Sequence, residues 1–228
     1  ILSERHEAET EARQKAQLDL INMLVKIKVN TFKTISDYIR ENRAFAVLFN
    51  KYIDDHSKNL MTLTVNNKNI KTGILFKLFG KNSLLEVFYK ALKDEPTQRV
   101  PIFKNTQRLE TRSYTGVVID TRGKNFNPSL FPTIFVRDKY GIQRTVFSFN
   151  HLNRKKSIYN GSVRYTKTAF NVYNDPIVGN RPYFCHADRV TGENNSDLFI
   201  SHEDAVKLLA RQRSSRALEE GRILIIVD

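Results

Sequence analysis

The sequence predicts an α+β fold of two small modules, and three observations carry that prediction. Apolar side chains repeat every four residues near the start of the chain, which is the spacing of an amphipathic helix. Short apolar segments bounded by turn residues are frequent in the second half, which is typical of strands. A polar stretch with Pro96 and Pro101 separates the two halves. We therefore expect modules at 1–93 and 113–228, joined by a linker at 94–112.

The first module begins with a long predicted helix. The apolar repeat runs from Ala8 to Leu24, and Ser3 stands in position to cap the helix. We expect this helix to pack within its own module, and an oligomerisation helix is the alternative. The stretch that follows, 31–48, fits either a mostly helical segment or one that begins with a strand.

A hairpin and a short helix complete the predicted first module. An asparagine-rich turn separates residues 60–65 from residues 70–79, so we expect the two segments to pair. Residues 74–79 are almost wholly apolar, which predicts a buried strand. Asn82 or Ser83 then caps the short helix.

The second module is predicted to contain five strands, a helix and a last strand. The five expected strands are Tyr114–Asp120, Thr133–Val136, Gln143–Phe149, Tyr183–Asp188 and Asp197–Ile200. Ser201 caps a predicted helix that runs from His202 to about Glu219. Residues 223–227 are apolar and mostly β-branched, so we expect a central strand that is covered on both faces.

No motif of the sequence predicts catalysis, a cofactor or a metal. The nine glycines do not fall in a phosphate-binding spacing, and a single cysteine excludes a multi-cysteine zinc site. Cys185 and His186 are neighbours, but adjacent strand residues point to opposite faces of a sheet. We therefore expect a buried cysteine, and an enzyme centred on it is an alternative. Asp120 is expected to fix the turn that contains Arg122 rather than to form a catalytic pair with Asp188.

The positive charge of the chain is concentrated in one stretch. Of a net charge of +13, +9 falls between residues 121 and 181, hereafter the basic window, where 11 basic residues face only Asp138 and Asp175. Such a surface favours encounter with an anionic partner. The window also holds ten aromatic residues, so a nucleic-acid-binding module is the alternative to a protein partner. The predicted partner-binding residues are Arg137, Lys139, Arg144, Arg154, Lys155, Lys156, Arg164 and Lys167.

Four stretches carry a resemblance to a known family. They are an alanine-rich helix at 8–21, a Thr-Gly-hydrophobic-Asp-x-Arg-Gly motif at 115–123, a Pro-x-Leu-x-Pro-x-Ile motif at 128–134, and the strand, helix and strand of 197–228. Together they resemble the FlgP/FlgT-like flagella-associated envelope proteins of bacteria. None of these motifs is catalytic in that family, so the resemblance transfers no active-site residue.

The resemblance implies an exported, periplasmic protein with a structural role in a flagellum. Its expected partners are other flagellar or envelope proteins, which we expect to present acidic surfaces to the basic window. A spirochaete flagellar coat protein of the Fcp type is the most specific form of this expectation, because the composition is rich in lysine, asparagine and isoleucine. The chain begins at Ile1 without an export signal, so we expect that a precursor was trimmed.

Overall fold

The computed structural model divides into two compact units, each described here by itself. The described residues are 2–57, 60–66, 69–101, 113–170 and 172–228, without the side chains of 2–5, 60–72 and 213–214. Unit 1 comprises Ile1–Ile27 and Thr34–Lys93, and unit 2 comprises Lys28–Lys33 and Asp94–Asp228. The described residues form six α-helices and nine strands, which confirms the predicted α+β class. Most of the predicted linker, 102–112, lies outside the described residues.

The described residues of unit 1 form four helices and a hairpin. The elements are α1 (Leu2–Leu24), α2 (Ile35–Glu41), α3 (Arg43–Ser57), β1 (Leu60–Asn66), β2 (Asn69–Ile74) and α4 (Leu84–Ala91). The long N-terminal helix is present, but the predicted Ser3 cap lies among the side chains that are not described. Within its apolar repeat Leu20 and Leu24 are buried, whereas Ala8 is exposed, so the end of α1 contributes to the core.

Aromatic packing between α3 and α4 holds unit 1 together. Phe45, Phe49 and Phe88 are fully buried, and the ring centroids of Phe45 and Phe88 lie 4.5 Å apart. Ring pairs at this separation stabilise a core beyond the area that they bury. At the start of α2, Thr34 and Asp37 form a capping box, because each side chain bonds the other residue's backbone N–H. The open prediction for 31–48 is thereby resolved as two helices without a strand.

The predicted buried strand at 74–79 is wrong beyond Ile74. The hairpin forms as predicted, with β1 and β2 antiparallel, but β2 ends at Ile74 and the Leu75 side chain is 68% exposed. The carbonyl oxygens of the next residues bond helix α4 instead: those of Lys77 and Leu78 accept the N–H groups of Leu84 and Leu85. The first N–H groups of a helix have no partner within it, and this segment supplies acceptors for two of them.

Unit 2 is built on one seven-stranded mixed sheet. Its elements are β3 (Val117–Asp120), β4 (Ile134–Arg137), β5 (Gln143–Phe147), α5 (Arg154–Asn160), β6 (Arg164–Thr166), β7 (Tyr183–Thr191), β8 (Asp197–Ile200), α6 (His202–Ser215) and β9 (Ile223–Ile226). The strand order is β5-β4-β8-β7-β3-β9-β6, with β7–β8 and β4–β5 antiparallel and the other pairs parallel. All four residues of β9 are buried and the strand lies between β3 and β6, which confirms the predicted central strand.

Two elements of unit 2 are missing from the sequence prediction, and one is too long. Helix α5 and strand β6 lie in a stretch whose basic and polar residues give no apolar period, so composition hides them. The last helix ends at Ser215 rather than at about Glu219. Arg216 adopts the left-handed conformation (φ 52°), and the side-chain oxygen of Gln212 accepts the N–H of Leu218, so the chain leaves the helix there.

The Thr-Gly-hydrophobic-Asp-x-Arg-Gly motif allows close packing around β3. The hydroxyl of Thr115 donates to the carbonyl oxygen of Val178, and it accepts the N–H of Arg181. Gly116 lies directly against Val178: a Cβ atom at Gly116 would lie 2.7 Å from the Val178 Cβ and 2.8 Å from its carbonyl oxygen. Real Cβ atoms are not found that close to other heavy atoms, so this position requires glycine.

The end of the motif fixes the turn after β3. One carboxylate oxygen of Asp120 accepts the backbone N–H of Arg122 at 3.0 Å, and the other accepts from its guanidinium at 2.6 Å. Gly123 has a φ of 72°, and its N–H donates to the Asp228 carboxylate. The predicted role of Asp120 in the turn is confirmed.

Candidate partner-binding site

The structure divides the eight predicted partner-binding residues into two groups. Arg137, Lys139 and Arg144 lie on the β4–β5 hairpin, hereafter the hairpin group. The helix group lies on or near α5 and β6 and consists of Arg154, Lys155, Lys156, Arg164 and Lys167. Strands β5 and β6 stand at opposite ends of the strand order, so the residues that form one window in the sequence do not share one strand pair.

In the hairpin group, one of the three basic residues is used to hold the turn. The Asp138 carboxylate accepts from the guanidinium of Arg144 at 2.8 Å and from the N–H groups of Tyr140 and Ile142. The hydrogen bond from Arg144 is the main reason why the pKa of Asp138 lies below its ordinary value. Arg144 is therefore neutralised, and its first role is in the hairpin.

The other two cations of the hairpin group are exposed. Within the described part of the chain, neither Arg137 nor Lys139 forms an ion pair with a carboxylate. The ammonium of Lys139 lies 4.9 Å from the ring centroid of Tyr140, whose side chain is 74% exposed. A cation beside an exposed aromatic ring at a hairpin tip can contact both the charged and the apolar parts of a partner.

The helix group also contains residues that serve the fold. Asn153 caps α5 by accepting the N–H of Lys156, and the ammonium of Lys156 pairs with Glu220 at 2.6 Å. The guanidinium of Arg154 donates to the carbonyl oxygen of Glu95, and that of Arg164 donates to the carbonyl oxygen of Asn160. These three cations are therefore bound to their own chain.

Lys155 and Lys167 are the exposed members of the helix group. Among the residues that the structure describes, neither forms an ion pair or a side-chain hydrogen bond. Of the eight predicted residues, Arg137, Lys139, Lys155 and Lys167 are thus the four whose side chains form neither an ion pair nor a hydrogen bond within the described part of the chain. These four residues are hereafter the unpaired cations.

A cavity of about 690 Å³ adjoins the helix group and contains residues that sequence reasoning did not select. Arg154 and Lys155 line it together with Arg99, Gln212 and Arg216. More than a hundred positions separate Arg99 from Gln212, and no motif links them. Only the fold brings these side chains together, so the sequence contained no signal for them.

The alternative catalytic residues are placed as the sequence predicts. Cys185 is buried, its thiol lies 3.7 Å from the carbonyl oxygen of Val118, and burial raises the pKa of the thiol well above its ordinary value. The side chain of His186 is 76% exposed. The imidazole lies 4.0 Å from the carboxylate of Asp120, whose pKa is lowered chiefly by hydrogen bonding to Arg122.

Two further features concern metals and membranes. Over the described residues, no group of three or more His, Cys, Asp or Glu side chains has the arrangement of a metal site. In the same part of the chain, no helix combines the length and apolar character that crossing a bilayer requires.

Comparison with known proteins adds one finding about unit 2. Residues 116–228 match the family described as Treponema pallidum Tp0624, second domain. The match begins at Gly116 and includes strands β3 to β9 together with helices α5 and α6. It suggests a spirochaete protein family for this part of the chain. A comparison with curated proteins finds no match.

Proposed function

We propose that the chain is a non-enzymatic structural protein that assembles with an acidic protein partner through the unpaired cations of unit 2. The observation that carries this proposal is their electrostatic environment. Both acidic residues of the basic window are occupied, since Asp138 binds Arg144 and Asp175 accepts the N–H of Ile177. The charge of the unpaired cations is therefore directed to solvent, where it accelerates and orients encounter with an acidic surface.

The finer form of the proposal places this assembly in a periplasmic flagellar apparatus, as part of a coat or sheath. Its support is the resemblance to FlgP/FlgT-like proteins and the match of unit 2 to a family named for a spirochaete protein. The conformational roles of Gly116, Asp120 and Gly123 are consistent with a motif that preserves a fold rather than an active site.

The experiment is a charge reversal that spares the fold. Arg137→Glu, Lys155→Glu and Lys167→Glu are combined in one variant, because these side chains form no ion pair within the described chain. Arg154 and Lys156 are left unchanged, because they bond Glu95 and Glu220. Flagella are purified from cells that express the variant, and the retained protein is quantified.

A matched control reverses three exposed lysines of unit 1, namely Lys15, Lys26 and Lys51. Both variants change the net charge equally, so general charge effects cancel. We expect the unit 2 variant to be lost from flagella and the unit 1 variant to be retained. Full retention of the unit 2 variant with native circular dichroism would refute the assignment.

Nucleic-acid binding is tested by the same variants. Several aromatics of the basic window are buried, among them Phe126, Phe131 and Phe147, so they are not available for stacking on bases, whereas Tyr140 and Tyr173 are exposed. Fluorescence anisotropy with a labelled oligonucleotide at two salt concentrations distinguishes nucleic-acid binding from the proposed protein assembly. Micromolar binding with a steep salt dependence, abolished in the unit 2 variant, would replace the proposed function.

A further inference from the structure

Basic side chains that are far apart in the sequence of unit 2 line the cavity beside α5. Four basic side chains line it, and Glu219 is the one acidic residue among the residues known to line it. The basic residues are Arg99, Arg154, Lys155 and Arg216. Like charges that line one cavity repel each other, and an anion between them relieves the repulsion.

Backbone hydrogen bonds fix the walls of this cavity. The N–H of Gln98 donates to the carbonyl oxygen of Asn150 at 2.7 Å, which holds the segment before Val100 against the short 3-10 helix (Phe149–His151) that precedes α5. The N–H of Asn153 donates to the carbonyl oxygen of Glu219, also at 2.7 Å. Because main-chain atoms supply these bonds, the cavity is a preformed part of unit 2 rather than a gap between mobile side chains.

The side chain of Gln212 carries a buried hydrogen-bond donor for which the described residues provide no acceptor. Its side chain is 2% exposed, and its Oε1 accepts the N–H of Leu218. Its Nε2 is buried and has no hydrogen-bond partner among the residues that the structure describes. A buried donor without an acceptor costs about 1–3 kcal/mol, so native proteins seldom keep one unless a ligand or water completes it. Gln212 is also one of the residues that line the cavity.

We propose that this cavity binds an oxyanion, either a phosphate or a carboxylate group, that accepts a hydrogen bond from Nε2 of Gln212. Arg99 and Arg216 neutralise its charge, and Lys155 contributes a third cation. Guanidinium groups suit this role because they present several N–H donors to planar or tetrahedral oxygens. This site goes beyond the proposed function, since Arg99, Gln212 and Arg216 lie outside the predicted partner-binding set, although Arg154 and Lys155 belong to both.

Isothermal titration calorimetry on the full chain tests the proposal, with inorganic phosphate in one arm and citrate in the other at constant ionic strength. We expect saturable binding at one site, with a Kd below about 1 mM for the preferred anion. The arm that saturates tells a phosphate from a carboxylate ligand. If neither anion gives saturable binding in this range, the proposal is overturned.

Variants locate the site. Arg99→Gln and Arg216→Asn each remove one cation, and asparagine suits the left-handed backbone at 216. Gln212→Glu replaces the unpartnered donor with an oxygen while retaining an acceptor for Leu218. We expect each variant to weaken binding about tenfold or more, as for charge-assisted hydrogen bonds.

Arg181→Gln, just before β7, is the matched control, because it removes one exposed charge of unit 2 and Arg181 is not among the residues that line the cavity. We expect its affinity to stay within about twofold of the wild type. If the control weakens binding as much as Arg99→Gln does, the anion responds to net charge and the site is refuted. If Gln212→Glu does not fold, the Arg99 and Arg216 variants decide the outcome alone.

Discussion

Substitution of Gly116 by alanine tests the packing of unit 2 most sharply. The new methyl group would overlap the Cα, Cβ and carbonyl oxygen of Val178, which is fully buried. Val178 packs in a core cluster with Val118, Leu224 and Ile226, so it cannot move without disturbing these residues. Two of the overlapping atoms belong to the backbone, and a change of rotamer does not displace them.

We expect this substitution to destabilise unit 2 by about 3 kcal/mol, at the upper end of the range for overpacked cores. For a unit of this size the loss corresponds to a fall in Tm of about 10 °C. The assay is guanidinium unfolding followed by far-UV circular dichroism, since the chain has no tryptophan. Shortening the neighbour in a Gly116→Ala/Val178→Ala variant should not restore stability, because the backbone overlap persists.

Gly73→Ala is the control, because a Cβ atom there meets nothing within 4 Å and its φ is not left-handed. Its free energy of unfolding should stay within about 1 kcal/mol of the wild type or rise. If Gly116→Ala unfolds at the wild-type denaturant concentration, the close approach to Val178 is wrong. The packing explanation of the Thr-Gly motif then fails with it.

Three further predictions concern titratable groups. Burial lowers the pKa of His151 in the folded protein, so the imidazole binds a proton more readily in the unfolded chain. The free energy of unfolding should therefore fall as the pH drops below about 6.5. His151→Gln should flatten this pH dependence between pH 7 and pH 5. Removal of the guanidinium in Arg122→Ala leaves the buried Asp120 carboxylate without its ion-pair partner and should lower the midpoint of guanidinium unfolding. The Cys185 thiol should react slowly with a disulfide reagent in the native protein and rapidly in guanidinium, because burial raises its pKa and blocks access.

Each of these predictions has a result that contradicts it. An equal loss of stability between pH 7 and pH 5 in the wild type and in His151→Gln would mean that His151 is protonated in the native state. A stability of Arg122→Ala equal to that of the wild type would show that solvent replaces the guanidinium fully. Rapid native reaction of Cys185, with loss of a measurable activity in Cys185→Ala, would reopen the enzymatic alternative.

The sequence predicts those elements whose residue types are characteristic of one structural environment. Strands β3 and β9 are runs of β-branched residues that suit only a covered sheet, and Ser201 marks the start of α6 by its capping chemistry. Residues 75–79 have the same apolar character, yet their carbonyl groups are used to cap α4, and that use depends on tertiary structure. Helix α5 is only seven residues long and begins with three consecutive basic residues, so periodicity gives no sign of it.

The site is predicted only in part for a similar reason. Charge counting finds the basic window, but it cannot tell Arg144, which binds Asp138, from Arg137, which binds no carboxylate within the described chain. The cavity depends on Arg99 and Gln212, which the fold brings together from distant parts of the chain. Which side chains form ion pairs, and which distant residues line one cavity, depends on the topology. Neither can be identified until the strand order is known.

The most direct test of the proposed assembly is photo-cross-linking in whole cells. A photoreactive residue replaces Tyr159, which is exposed on α5 one turn from Lys155, and a control carries it at Val47, which is exposed on α3 of unit 1. We predict that the Tyr159 position yields a discrete adduct with an acidic protein of the flagellar or envelope fraction, and that high salt reduces its yield. Absence of a protein adduct at Tyr159, an adduct with nucleic acid, or equal yields at both positions would contradict the account.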